Sequence, residues 1–274
     1  MQSWFDLQDR VAIVTGGASG LGFAIASGLL RHGGRVVIAS RNLTNVNEAV
    51  QRLSQIASSQ RVIGTSCDVT DGPNVEEAMH LVVEKFGRLD ILVHSAGSIL
   101  RKPTFDLSTE EFSQMYDTHV TGALRCAKAA GRFMRDHGGG SVIHIASVAS
   151  FVDLIEVAAY TSAKNALLGL TRSLANEWAK YNIRVNAVAS GFVLTDLNRG
   201  LLVNTDRGRR VIERTPMGRF GVPDEIAAAA VFLASPAASF VTGHTLVVDG
   251  GFLACGIGDS VCDWNKMQPD EPSK

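Results

Sequence analysis

The chain has little of what several protein classes require. It carries four cysteines in 274 residues, Cys67, Cys126, Cys255 and Cys262. None has metal-ligand spacing, so they are expected to be buried thiols, and no metal is expected. No block of like charge occurs, and the formal net charge is −1. Binding to nucleic acid or to an anionic membrane surface is therefore poorly supported. No apolar run approaches the ~20 residues that cross a bilayer, and the opening MQSWFDLQDR has no apolar signal core. The cytoplasm is the expected address. Linkers, repeats and internal boundaries are also missing. What remains, 46% hydrophobic and 19% charged residues, is enough to bury one large core. Residues 1–256 are expected to form one domain, with 257–274 as a polar tail.

Apolar runs alternate with helical patterns along the whole chain. Strands are predicted at 11–15, 35–40, 61–69, 90–97, 141–147, 183–190 and 245–251. A polar helix is expected over about 42–57. Ser108 followed by Glu111 forms a capping box that opens a helix running to about Arg135. Strands apolar throughout and separated by helices predict a parallel sheet covered on both faces. The expected fold is α/β: a single doubly wound (Rossmann) domain with a seven-stranded parallel sheet.

Two stretches carry chemistry. Thr15-Gly16-Gly17-Ala18-Ser19-Gly20-Leu21-Gly22 links the first strand to the first helix. Its glycines permit a tight turn and close backbone approach to a pyrophosphate, which the helix N-terminus can bind. The second stretch, SVASFVDLIEVAAYTSAK, runs from Ser147 to Lys164. Tyr160 and Lys164 stand four apart, on one face of a helix. A nearby positive charge lowers a phenol's pKa from ~10, which would suit Tyr160 to proton transfer near neutral pH. The alternative is that Tyr160 packs and Lys164 is solvated.

Together with Asp68 in CDV, Ser95-Ala96-Gly97, Asn186, the Gly191–Thr195 segment, FLASPAASFVTG and VVDGG, these motifs resemble the short-chain dehydrogenase/reductase family over about residues 6–254. The resemblance implies a catalytic Tyr160 that exchanges a proton with the substrate oxygen. Ser147 would bond that oxygen, and Lys164 would lower the phenol pKa and hold the nicotinamide ribose. Gly16, Ser19, Gly20, Leu21, Gly22, Asp68, Val69, Ser95, Ala96, Gly97, Val193 and Thr195 would line the dinucleotide. At the end of the second strand Ser40 stands where an acid selects NAD. Arg41 follows and suits a 2′-phosphate, so NADP is favoured and NAD is possible; Arg41 stacking on adenine serves either. A homotetramer is implied through helices at about 109–135 and 158–179. Ala127, Ala129, Ala130 and Ala175 would either allow close approach there or face the chain's own sheet.

Three departures from the family pattern stand out. The usual catalytic Asn is His119, the usual Asn-Asn-Ala-Gly is His94-Ser95-Ala96-Gly97, and the Pro before Gly191 is Ser190. His119 either replaces the Asn with an imidazole titrating near pH ~6.5, or merely packs. The segment 192–215 is expected to be a mobile lid. It carries Arg199, Arg207, Arg209, Arg210 and Arg214, while Arg101 and Lys102 follow the fourth strand. Arg101 and Arg199 are candidate substrate contacts, although any single lid arginine can simply be solvated. ILRKP, TPMGRFG and GGFLACGIG resemble the gluconate 5-dehydrogenase branch, which implies a sugar acid or polyol substrate. The alternatives are a 3-oxoacyl thioester reductase and a dinucleotide-sensing protein without turnover.

Overall fold

A computed structural model describes residues 4–196 and 198–256; the predicted tail 257–274, with Cys262, lies outside the described residues. Seven apolar segments become strands: β1 (Val11–Thr15), β2 (Arg35–Ser40), β3 (Val62–Ser66), β4 (Ile91–His94), β5 (Gly140–Ser147), β6 (Ile183–Ser190) and β7 (Thr245–Val248). All pair in parallel, in the order β3-β2-β1-β4-β5-β6-β7. The third, fourth and seventh strands end earlier than predicted. Their last residues leave the ladder and turn across the C-terminal edge of the sheet, where ligands bind in such folds.

Alternation along each strand divides the core in two. Ala12 and Val14 of β1 face one side, packed with α1 (Gly20–Arg31), α2 (Leu43–Leu53) and α9 (Pro223–Ala234). Val11 and Ile13 face the other, packed with α3 (Gly72–Phe86), α5 (Gly122–Asp136) and α6 (Ala158–Trp178). This period of two is what a sheet covered on both faces requires. Each buried Val, Leu or Ile contributes about 1.5–3 kcal/mol. Ala127, Ala129, Ala130 and Ala175 lie within this second core. They face the chain's own sheet. Cys67 and Cys126 are buried, and burial pushes the Cys67 thiol up to about 12. Among the described residues, no helix is long and apolar enough to cross a membrane.

The predicted helix over 109–135 is interrupted. The capping box at Ser108 and Glu111 opens α4 (Thr109–Tyr116). Asp117–Thr121 then form a π-helical turn before α5 begins. Such turns insert one extra residue and cluster at functional sites. This one carries His119 inward. The predicted lid contains two short helices, α7 (Arg199–Leu202) and α8 (Asp206–Arg214).

At the opposite edge, buried Asp90 ties β1 to β4. It accepts from the Val11 N–H (2.9 Å), Arg10 Nη1 (2.9 Å) and Arg88 Nε (2.8 Å). Burial pushes its pKa up, but these bonds outweigh burial and hold it below the usual carboxylate range. Its stabilisation is present above pH ~4 and is lost as pH falls through the lowered value. Asp90→Ala leaves half-exposed arginines and one orphaned N–H. We expect a loss of about 2 kcal/mol and a Tm lower by roughly 4–8 °C, read by thermal melts. The kcat of the folded variant should not change, because Asp90 lies at the far edge from the site.

Candidate active site

The glycine turn occupies the crevice between β1 and β4, where the strand order reverses. Gly16 has φ +68°, and a Cβ there would meet the Ala96 backbone nitrogen at 2.8 Å. The turn therefore needs glycine for both conformation and space. Ser19 caps α1 in extended conformation, but its side chain makes no cap bond, so the first-turn N–H groups are not taken by a side chain. A Cβ at Gly20 would meet only Thr195 Cγ2, at 3.7 Å. The helix N-terminus that opens at Gly20 is the kind of place where a pyrophosphate binds.

The remaining dinucleotide candidates follow the same edge. Ser40 ends β2, and Arg41 is exposed beside it; Ser66 Oγ donates to the Arg41 carbonyl at 3.1 Å. Asp68 accepts from the Thr70 hydroxyl (2.7 Å) and N–H (2.9 Å). These bonds, led by the hydroxyl's, hold its carboxyl below the usual range. Val69 is buried next to the π turn, touching the place a Cβ on Gly122 would take. Ser95 N–H donates to the Thr15 carbonyl at 3.1 Å. Val193 bridges to Gly221, and Asn198 Oδ1 accepts from the Thr195 N–H at 2.9 Å.

Ser147, Tyr160, Lys164 and His119 converge. Ser147 ends β5, and its Oγ accepts from the Ala149 N–H at 3.1 Å, leaving its own proton for the Tyr160 phenol. Lys164 is buried, and its Nζ donates to the Ile145 carbonyl at 2.7 Å. That nitrogen lies 5.6 Å from the Tyr160 ring centroid. Burial holds the ammonium down to about 7. The expected lowering of the phenol pKa is not what this arrangement gives. Burial raises it, and only the Ser147 hydrogen bond pulls the other way.

His119 stacks edge-on against Tyr160 with ring centroids 5.5 Å apart. Its Nε2 lies 2.8 Å from the Ser98 carbonyl and 3.3 Å from the Ser98 N–H; the shorter contact favours a proton on Nε2. Burial, then the Lys164 charge, moves its titration to about 3. The expected titration near 6.5 is thus displaced, and the ring stays neutral at neutral pH. Gly97 lies flat on this imidazole, which fills the place of any Cβ. Behind the site, His94 and His144 face each other on β4 and β5 with rings 6.3 Å apart.

Arg101 and Arg199 are not brought together. Arg199 is exposed at the start of α7. Arg101 Nε donates to Glu156 Oε2 at 2.6 Å, and Arg207 of the lid feels the charge of both groups. Sequence reasoning missed Glu156. Its one signal is its place four residues before Tyr160.

The Lys164 shift has a consequence for stability. Below about pH 7 both folded and unfolded states are charged, and the folded state carries the full desolvation cost. Between 7 and ~10.5 only the unfolded state is charged, so stability rises with pH by about 1.4 kcal/mol per unit. Lys164→Met should raise Tm at pH 7, with the gap over wild type narrowing towards pH 10. A pH-independent gap in thermal melts would contradict the buried ammonium.

This site has close counterparts. A family profile described as enoyl-(acyl carrier protein) reductase matches residues 16–253. The 2-dehydro-3-deoxy-D-gluconate 5-dehydrogenase of Dickeya dadantii is 36% identical, covering 91% of this chain and 98% of that protein. The D-threitol dehydrogenase of Mycolicibacterium smegmatis is 38% identical, over 90% and 94%. A gluconate 5-dehydrogenase from Burkholderia cenocepacia, solved with NADP and tartrate, superposes with a TM-score of 0.87 at 33% identity, over 92% and 98%. By its glycine turn, its Ser-Tyr-Lys set and these relatives, the chain belongs to the short-chain dehydrogenase/reductase family of NAD(P)-dependent oxidoreductases acting on CH–OH groups.

Proposed function

We propose that the protein interconverts a secondary alcohol and a ketone on a sugar acid, with NADP(H) as its dinucleotide. The observation that carries the chemistry is the meeting of Ser147, Tyr160 and Lys164 where β5 passes into α6. A protein that only senses dinucleotides needs none of the three. In reduction, the substrate oxygen sits between the Ser147 hydroxyl and the Tyr160 phenol. Burial keeps that phenol protonated at neutral pH, so Tyr160 is ready to donate. Lys164 then steadies the phenolate, and in oxidation Tyr160 takes the proton back. His119 acts as a neutral wall that fixes the Tyr160 ring and the Gly97 backbone. When bound, the nicotinamide supplies or accepts the hydride. Gly16, Ser19, Gly20, Leu21 and Gly22 would hold the pyrophosphate, Asp68 and Val69 the adenine, and Lys164 the ribose. Ser95, Ala96, Gly97, Val193 and Thr195 would flank the nicotinamide half.

The substrate class rests on Arg101 at the mouth and on the sugar-acid relatives. D-threitol, named for one relative, marks the neutral polyol as the competing class. A 3-oxoacyl thioester lacks the carboxylate that a basic mouth would recognise. Assembly as a cytoplasmic homotetramer through α5 and α6 belongs to the same reading; a monomer in sizing experiments removes that part.

Two measurements test the reading. Tyr160→Phe should abolish turnover while leaving dinucleotide affinity within a few-fold; retained turnover rules out the proton-transfer role. Arg41 is exposed next to Ser40, where a guanidinium can bond a 2′-phosphate. At ~1.5–3 kcal/mol for a charge-assisted bond, Arg41→Ala should raise KM for NADP(H) roughly ten- to a hundredfold and barely change it for NAD(H). Equal effects on both dinucleotides, or a wild type preferring NAD(H), would overturn the NADP assignment.

A further inference from the structure

Glu156 is one of four described non-glycine residues with positive φ, at +66°; the others are Asp9, Asn182 and Asn204. Asn and Asp tolerate this conformation through their short polar side chains, and Glu does not. Such strain persists only where the surroundings impose it, often at ligand sites. Here two bonds impose it. The Lys102 N–H donates to the Glu156 carbonyl at 2.7 Å, and Arg101 Nε donates to the Glu156 carboxylate at 2.6 Å. Both partners belong to the segment after β4, whose Leu100 packs in the cluster around Tyr160. Glu156 itself lies in the loop from β5 to α6. From the lid, Arg207 of α8 lies within electrostatic reach of both Arg101 and Glu156. Lys102 takes no part, because its Nζ is held by both Glu111 carboxylate oxygens at 2.9 Å. One guanidinium, that of Arg101, thus pairs with this carboxylate, while a second, from a different segment, stands within electrostatic reach without bonding it. Among the described residues Arg207 has no ion pair of its own.

We propose that Arg101 and Arg207 form a seat for the carboxylate of an acidic substrate, and that Glu156 is the resident carboxylate occupying it between turnovers. The proposal rests on the sugar-acid reading above and adds how the acid is recognised. The Arg101 and Glu156 side chains are 45% and 35% exposed. An ion pair in such surroundings gains little over its separated, hydrated partners, so an incoming carboxylate can take its place at small cost. It then meets two guanidinium groups, whose donors suit bidentate pairing. One of the two lies on the lid, so the same anion that enters also draws the lid down over the Tyr160 hydroxyl. A neutral polyol of the same length leaves the Arg101–Glu156 pair intact and gains nothing from Arg207. Glu156 therefore competes with acids and is indifferent to polyols.

The test compares D-gluconate with D-sorbitol, which carries CH2OH in place of the carboxylate. Steady-state kinetics with NADP+ and calorimetric titration of each compound into the full-length protein are run on wild type, Glu156→Gln, Glu156→Gly and Arg207→Gln. Glycine relieves the positive φ, so the two Glu156 variants separate loss of charge from loss of fold. Both Glu156 variants should bind gluconate several-fold tighter, and Arg207→Gln roughly tenfold weaker. Sorbitol binding should stay within twofold in all three. Parallel changes for the two compounds, or no gluconate preference in the wild type, overturn the seat. Should the wild type oxidise neither compound yet bind gluconate in a manner lost in Arg207→Gln, the sugar-acid reaction fails and the carboxylate seat stands.

Discussion

A lysine ammonium buried without a carboxylate is the constraint around which this structure is arranged. Lys164 is almost fully enclosed, and its Nζ rests on the Ile145 carbonyl. An isolated charge in such a place is expensive, which is why its pKa falls to about 7. The residues around it do not relieve that cost. His94, His119 and His144 are all buried, and burial holds each imidazole neutral far below its usual titration. The fold holds the helix in place by other means. Ser150 Oγ donates to the Lys164 carbonyl at 2.9 Å, and Asn165 Nδ2 donates to Ala149 at 3.2 Å. His144 is hydrogen-bonded to the Thr171 hydroxyl at 2.9 Å, one more tie between β5 and α6. A row of small contacts thus offsets one costly one. Sites that break local rules for function are compensated elsewhere in this way.

The same logic explains where polar atoms stand unpaired. Among the described residues these are His94 Nε2, His119 Nδ1, His144 Nε2 and Thr161 Oγ1. His94 and His144 lie on β4 and β5, His119 on the π-helical turn, and Thr161 on α6 beside Tyr160. Unpaired buried groups mark functional regions more often than ordinary core. The π-helical turn belongs to this picture. Its extra residue swings His119 off the helix face and against Gly97 and Tyr160. An imidazole is broader than the Asn amide usual in the family. Gly97 leaves it the room, and the Ser98 carbonyl accepts a hydrogen bond from its Nε2.

Much of this was legible in the sequence because it is local. Strand positions follow from runs of apolar residues, and all seven strands occur where such runs predict them. The glycine turn is legible because its spacing lies between a strand and a helix. Tyr160 and Lys164 are legible because four residues make one turn. What the sequence conceals depends on burial or on distant segments. The phenol was expected to be lowered by Lys164, yet both groups are desolvated together, and desolvation acts on each in the direction that removes charge. The interruption at Asp117–Thr121 has no composition signal. Among the lid arginines the sequence singles out Arg199; only the path of α7 and α8 brings Arg207 within electrostatic reach of Arg101 and leaves Arg199 exposed.

The lid's own joints complete the argument. At its start, Asn198 clamps the chain through both ends of its amide. The oxygen accepts from the Thr195 N–H, and the nitrogen donates to the Val193 carbonyl at 2.8 Å. At its end, Arg214 lies over the Phe252 ring, 4.5 Å from the centroid, and Phe252 in turn packs on Phe192. The lid is thus fixed to β6 and to the segment after β7 at both limits. Between them Asn204, with φ +57°, joins α7 to α8, and the hydroxyl of Thr205 caps α8. A segment anchored at two ends can move only through its middle. Arg207 is in the first turn of the helix that such movement carries. Under the proposed seat, a charge in that position would meet an anion entering the mouth, while Thr195, tied to the fixed end, lies beside Gly20. On the reading proposed above, substrate recognition and dinucleotide binding would fall to the middle and to the fixed start of one short segment.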